Sequence, residues 1–181
     1  MMTSKSQESK WRFRGTCHKF GHNVPHLDGV VPEWLVNGRH FDPKEIIPEL
    51  FEMIRPGFHK NVKAGDIIVT GKNFGMGPKM NGYIGMQALG LGLICESMPF
   101  LAYRAALGCG LHVLDHCLDI TSCVEQGDEI EVDFTTGEFI NHTQDIHEHY
   151  DPIPDSLTEL IVLGGSQGWL KKWWREQSHA D

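Results

Sequence analysis

Apolar and polar positions change period several times along the chain, and each change predicts an element. Residues 11–20 carry an apolar-rich run that suits a first strand, with Gly15 as an interruption. Residues 21–32 hold Gly21, Asn23, Pro25, Asp28, Gly29 and Pro32, the composition of successive turns. Asp42-Pro43 then opens a helix, with Asp42 as N-cap, Pro43 at its first position and Glu45 in its first turn. Ile46, Ile47, Leu50, Phe51 and Ile54 follow at the spacing of one buried helical stripe. Pro48 lies inside that stripe and predicts a break or restart, and Arg55-Pro56-Gly57 ends it.

Ile67-Ile68-Val69-Thr70 is a short apolar run of the kind buried on both faces. Residues 81–89 read as a helix, Leu91 to Cys95 as a second buried strand, Met98 to Leu107 as a helix and Leu111 to Leu114 as a third strand. This alternation predicts βαβ units with parallel pairing. Beyond it the period becomes two. Ile130, Val132 and Phe134 alternate with Glu131 and Asp133, and Thr136-Gly137 turns the chain into Phe139-Ile140, an antiparallel hairpin. Ser156-Leu157-Thr158-Glu159 has the form of a capping box before a helix that Gly164-Gly165 stops, and a last helix carries Trp169, Trp173 and Trp174. The expected class is α/β with a mixed sheet flanked by helices. One domain covers residues 11–176, between a frayed start at 1–10 and a polar tail at 177–181.

Charge changes the picture by exclusion. The 181 residues carry a formal charge of −8, and no long basic run offsets it, so nucleic acid and anionic membrane are poor partners. Lys171, Lys172 and Arg175 edge the tryptophan face of the last helix, which reads as a packing or docking face rather than a binding patch. No stretch approaches the roughly 18–20 apolar residues of a membrane span. The polar first ten residues hold no secretory core, and the expected location is the cytoplasm. Cys17, Cys95, Cys109, Cys117 and Cys123 lack paired spacing and read as free thiols.

Candidate chemistry concentrates in residues 71–82, between a buried strand and a helix. Gly71, Gly75 and Gly77 allow a close backbone approach, and the free N–H groups at the turn suit a carboxylate or phosphate. Lys79 adds a point charge there, while the bland reading is a tight strand-to-helix turn. Gly75-Met76-Gly77 lacks the third glycine of a dinucleotide fingerprint, and no phosphate-loop ending follows. His142, His147 and His149 read as a polar, solvated loop; His112 and His116 read as a mixture of core and loop. Neither group has a zinc spacing, and the absence of Cys-x-x-Cys leaves no iron–sulfur ligand set.

Taken in order, these segments resemble the small subunit of 3-isopropylmalate dehydratase and the C-terminal swivel domain of aconitase. Gly21-His22-Asn23-Val24 through Val30-Val31-Pro32 is similar to the family's Gly-Asp-Asn-Val-Asp-Thr-Asp-x-Ile-Ile-Pro, with one residue added. Gly65-Asp66-Ile67-Ile68-Val69-Thr70-Gly71-Lys72-Asn73-Phe74-Gly75-Met76-Gly77 is similar to Gly-Asp-Ile-Ile-Val-Ala-Gly-x-Asn-Phe-Gly-Cys-Gly. Ala88-Leu89-Gly90, Glu96-Ser97, Tyr103-Arg104 and Gly127-Asp128-Glu129-Ile130 fall at matching places. The resemblance implies a three-layer β/β/α swivelling domain that closes over a hydroxy-acid substrate. It implies no cofactor in this chain, a [4Fe-4S] cluster in a separate large subunit, and a hydro-lyase active only as a hetero-oligomer.

The resemblance also shows a departure. Where the family reads Ser-Ser-Arg-Glu-His, with a serine base and an arginine that grips a carboxylate, this chain has Pro78-Lys79-Met80-Asn81-Gly82. Neither serine nor the arginine carries over, and a lysine does not reproduce the two-point fork of an arginine. Three readings follow. Another base acts on a different substrate, with Lys79, His26 and Asp28 as candidates; the large subunit supplies the base; or the chain is a binding or regulatory partner without catalysis. Candidate substrate contacts are Gly75, Met76, Gly77, Lys79 and Asn81, with backbone N–H groups around 75–77 holding the anion. Asn81 reads equally as a helix N-cap. The segment matching the family's selectivity stretch is Glu33-Trp34-Leu35-Val36-Asn37, in which Trp34, Leu35 and Val36 either line an apolar pocket or pack in the core.

Overall fold

The computed structural model describes residues 10–77 and 81–178. Its seven strands are β1 (Arg12–Lys19), β2 (Ile67–Thr70), β3 (Gly92–Cys95), β4 (His112–Leu114), β5 (Glu129–Asp133), β6 (Glu138–Asn141) and β7 (Ile146–His149). The α-helices among the described residues are α1 (Glu33–Asn37), α2 (Pro43–Ile46), α3 (Gly82–Ala88), α4 (Phe100–Gly108), α5 (Asp155–Val162) and α6 (Ser166–Ser178). None is long and apolar enough to cross a membrane.

All the strands belong to one sheet in the order β4-β3-β2-β1-β5-β6-β7. β1 is the seam. Its second half pairs in parallel with β2, Cys17 opposite Ile67, and β3 and β4 continue that parallel half. Its first half pairs antiparallel with β5, Phe13 opposite Val132, and β6 and β7 extend the meander. Gly15 does not interrupt β1. It lies where the strand crosses Gly65 and Asp66, and a Cβ there would sit 2.6 Å from Asp66 Oδ1.

Side chains alternate across the parallel half with period two. Ile68, Leu93 and Val113 enter one core with Leu35 and Val36 of α1, Ile46 of α2, Tyr83 and Met86 of α3, and Ala102 and Ala106 of α4. Ile67, Val69, Ile94 and Leu114 enter a second core with Ile130, Val132 and Phe139 of the antiparallel half and Ile161 of α5. The sheet therefore curls over itself, which produces the antiparallel, parallel and helical layers. Every residue of β2 and β3 is buried. At about 1.5–3 kcal/mol for each fully buried large apolar side chain, these two strands anchor the frame.

Local chemistry explains most element ends and corrects three expectations. Asp42 Oδ1 accepts from the Lys44 N–H at 2.9 Å, and Pro43 opens α2. The helix ends at Ile46 and tightens into a 3₁₀ turn over Ile47–Glu49, where Pro48 has no N–H to donate. Leu50 and Phe51 remain buried, but Phe51 turns with φ 55° and Ile54 is exposed, so the expected stripe stops before Ile54. The expected capping box is absent: α5 starts at Asp155 behind Pro154, and the Thr158 hydroxyl donates to the Asp155 carbonyl. Gly164 and Gly165, both at positive φ, end that helix. His147 and His149 lie on the edge strand β7, exposed, rather than in a loop. α6 buries no residue; Trp173 and Trp174 are 42% and 67% exposed.

Candidate active site

Parallel strands β1, β2 and β3 deliver three loops to one edge of the sheet, at residues 20–32, 71–77 and 96–99. Polar bonds tie these loops together. His22 Nδ1 accepts from the Lys72 N–H at 2.9 Å, and the Asn23 N–H donates to the Lys72 carbonyl at 2.7 Å. Asn23 and Asn73, both at positive φ, meet through Asn73 Nδ2 and Asn23 Oδ1 at 2.9 Å. The third loop joins through Ser97, whose hydroxyl accepts from the Asn73 N–H at 3.1 Å and whose carbonyl accepts from the Phe74 N–H at 3.0 Å. Val24 and His26 run beside Gly75 and Met76: Gly75 N–H to Val24 carbonyl is 2.8 Å, and His26 N–H to Met76 carbonyl is 2.7 Å.

This lattice decides which expected donors are open. The Gly75 N–H is committed to Val24, and the Gly82 N–H, first in α3, donates to His26 Nε2 at 3.1 Å. The Gly75 N–H is therefore not open to an anion, which corrects the expectation at that one position. Gly77 is exposed and Met76 is half-buried. Gly75 adopts φ 75°, and a Cβ there would lie 2.1 Å from the Tyr83 hydroxyl oxygen.

Asn81 is buried, and its Nδ2 donates to the His40 carbonyl at 2.7 Å instead of capping α3. That bond brings the 33–40 segment to the cradle. Trp34, 55% exposed, lies edge-on to His40 with ring centroids 5.5 Å apart. Leu35 and Val36 pack in the helical core, because α1 turns them inward and Trp34 outward. Asp28 is exposed at φ 61°, and its Oδ1 accepts from the Glu33 N–H at 3.0 Å at the start of α1. Lys79 lies outside the described residues. His26 is fully buried, and burial pushes its imidazole down to about 4, so the ring is neutral near pH 7.

Among the described residues, no group of three or more His, Cys, Asp and Glu side chains converges on a metal position. All five cysteines are free. Burial pushes the Cys17 and Cys109 thiols up to about 12 and about 11, and raises Cys95 and Cys117 as well. An iron–sulfur cluster needs converging thiolates, so the cysteines of this chain do not fit one.

Comparison with known proteins places these loops in context. A 3-isopropylmalate dehydratase small subunit from Thermodesulfovibrio yellowstonii is 34% identical over 165 residues, covering 89% of this chain and 95% of the relative. The chain belongs to this family. It is the small subunit of an aconitase-family hydro-lyase. A second member, the isopropylmalate/citramalate isomerase small subunit of Methanocaldococcus jannaschii, is 36% identical over 162 residues, covering 88% of this chain and 94% of its own. The crystal structure of a 3-isopropylmalate dehydratase from the same archaeon superposes with a TM-score of 0.80 at 28% identity, across 94% of this chain and 99% of that one. No protein-family model matches the chain.

Within this small-subunit fold, the two signature segments that the sequence shows as separate runs lie side by side, joined by five of the hydrogen bonds given above. His22, Ser97 and Tyr83 were not among the candidate site residues, though His22 lies in the first signature segment and Ser97 in a matching Glu-Ser pair. Each acts through contacts with distant residues, and nothing in local spacing announces them.

Proposed function

We propose that this chain positions a small hydroxy acid for the removal or addition of water, in an active site completed by a separate large subunit. The observation that carries the reading is the joining of the loops after β1, β2 and β3 at their carboxyl ends, the place where open α/β sheets bind ligands. The relatives take their names from 3-isopropylmalate and citramalate. The proposed substrate class is accordingly a hydroxy-dicarboxylate with a small apolar substituent. A [4Fe-4S] cluster in the large subunit would supply the Lewis acid that activates the hydroxyl.

The residues of this chain would hold and orient the acid. Lys79 is the proposed charge partner for a carboxylate, with Gly77 beside it. Met76 and Asn81 border the segment on either side. Trp34, exposed beside the His40–Asn81 link, is the proposed apolar wall, a role that Leu35 and Val36 do not share. His26 is enclosed and bonded to Gly82, which leaves Lys79 and the exposed Asp28 as the groups in this chain proposed for proton transfer. The five free thiols accord with the cytoplasm as the proposed compartment.

Reconstitution tests the reading. The purified chain and its large subunit, assayed together on alkyl-substituted malates, should turn over while each alone does not. Lys79→Ala should lower kcat/KM by about ten- to hundred-fold, the scale of a lost charge-assisted contact. Unchanged turnover by that variant would remove Lys79 from the site, and turnover by the chain alone would overturn the shared-site reading.

A further inference from the structure

His26 contacts both flanks of the segment that carries Lys79. Its backbone N–H donates to the Met76 carbonyl at 2.7 Å, and its Nε2 accepts from the Gly82 N–H at 3.1 Å. The residue is itself held in its turn, its carbonyl accepting from the Val30 and Val31 N–H groups at 3.1 and 3.0 Å. The ring is edge-on to Tyr83, with centroids 5.0 Å apart. Because Nε2 faces a donor, it carries the lone pair, and the ring proton resides on Nδ1. That Nδ1 is buried and has no hydrogen-bond partner among the described residues.

We propose that His26 is a positioning residue, an Nδ1–H imidazole that ties Met76 to Gly82 and so fixes the two residues between which the proposed substrate contacts lie. This rests on the reading that the 77–82 segment meets the hydroxy acid. A base role does not fit the geometry: the lone pair of the ring already holds a backbone N–H inside the protein. The site that the family fills with Asp-Thr-Asp thus carries, in this chain, a side chain that works on the loop rather than on the reacting atoms. Burial, which holds the imidazole neutral, keeps the acceptor available.

Two variants separate the roles of this ring. His26→Gln retains an acceptor near the Nε2 position, whereas His26→Phe retains the bulk and loses the acceptor. In the complex with the large subunit, His26→Phe should lower kcat/KM about tenfold, chiefly through KM, and His26→Gln should stay within about threefold of the unaltered protein. Equal kinetics for His26→Phe and the unaltered protein, or an equal loss in both variants, would overturn the proposal. On the full chain alone, long-range proton–nitrogen correlation at pH 7 should show His26 protonated at Nδ1. Gly82 amide exchange should quicken at least tenfold in His26→Phe and hold in His26→Gln. An Nε2–H tautomer, or a Gly82 amide indifferent to His26→Phe, would refute the tie. These two readouts decide on His26 even where the complex turns over no hydroxy acid, an outcome that would instead defeat the proposed function.

Discussion

The hydroxyl of Tyr83 lies where a side chain at position 75 would begin: a Cβ on Gly75 would sit 2.1 Å from Tyr83 Oη. The contact joins α3 to the loop after β2 and holds the cradle against the helical core. Gly75 also has φ 75°, a conformation that L side chains rarely adopt, so two physical reasons require glycine there.

Gly75→Ala is expected to destabilise the chain by about 2–4 kcal/mol in urea denaturation, from steric overlap and backbone strain together. Tyr83→Phe should change stability by about 1 kcal/mol or less, since the buried hydroxyl has no partner among the described residues. Adding Tyr83→Phe to Gly75→Ala should recover the steric part of the loss and leave the strain. A double variant no more stable than Gly75→Ala would show that the hydroxyl is not what excludes a Cβ.

His112 makes the fold acid-sensitive. Its ring packs against Trp11, Phe13 and Phe134 with centroids 4.9, 4.8 and 5.5 Å away, and burial lowers it to about 4. The unfolded chain binds that proton more readily than the folded one. The stability contribution is therefore complete above the ordinary histidine range near 6.5, and it falls as pH drops toward 4. His112→Phe should reduce the stability lost between pH 7 and pH 5 by about 2 kcal/mol, read from urea midpoints at both values. An unchanged difference would show that the ring already carries its proton in the fold.

Asp66 joins β1 to β2 through one carboxylate. Oδ1 accepts from the Thr16 N–H at 2.8 Å, and Oδ2 accepts from the Lys63 N–H at 3.0 Å and faces His18 Nε2 at 3.2 Å. Asp66→Ala strands these donors at a buried crossing and should cost about 3 kcal/mol or more in chemical denaturation. Asp66→Asn, which retains one acceptor, should cost less. Equal stability of both variants and the unaltered chain would contradict this account.

Deleting α6 should cost the isolated chain little. The helix buries no residue, and its ion pair with α5, Lys172 with Glu159, is exposed. A chain ending at Gly165 is expected within about 1 kcal/mol of the full chain in urea denaturation. A larger loss would mean that the tryptophan face contributes to the fold.

Local rules written in adjacent residues are legible in the sequence alone. Asp42 caps where a side-chain acceptor precedes a proline, Pro48 ends α2 because it has no N–H, and Ile130 and Val132 alternate because one face of β5 is buried. The apolar runs at β2 and β3 were readable as strands because both strands are buried along their whole length, which favours apolar side chains on both faces. The site was legible as two signature segments. Its internal chemistry was not. Whether Leu35 lined a pocket or the core, whether Asn81 capped a helix or reached His40, and whether the nitrogens of His26 faced substrate or backbone all depend on residues tens of positions away.

The order of residues determined the elements, the family and the stretches of chain where chemistry concentrates, because capping, turn and burial preferences act over a few neighbouring positions. Tertiary structure alone decided which donors remain open, since the Gly75 and Gly82 N–H groups are committed to Val24 and His26 across the fold. A hydrogen bond is settled by where two groups meet in space, and distance along the chain carries no record of that meeting.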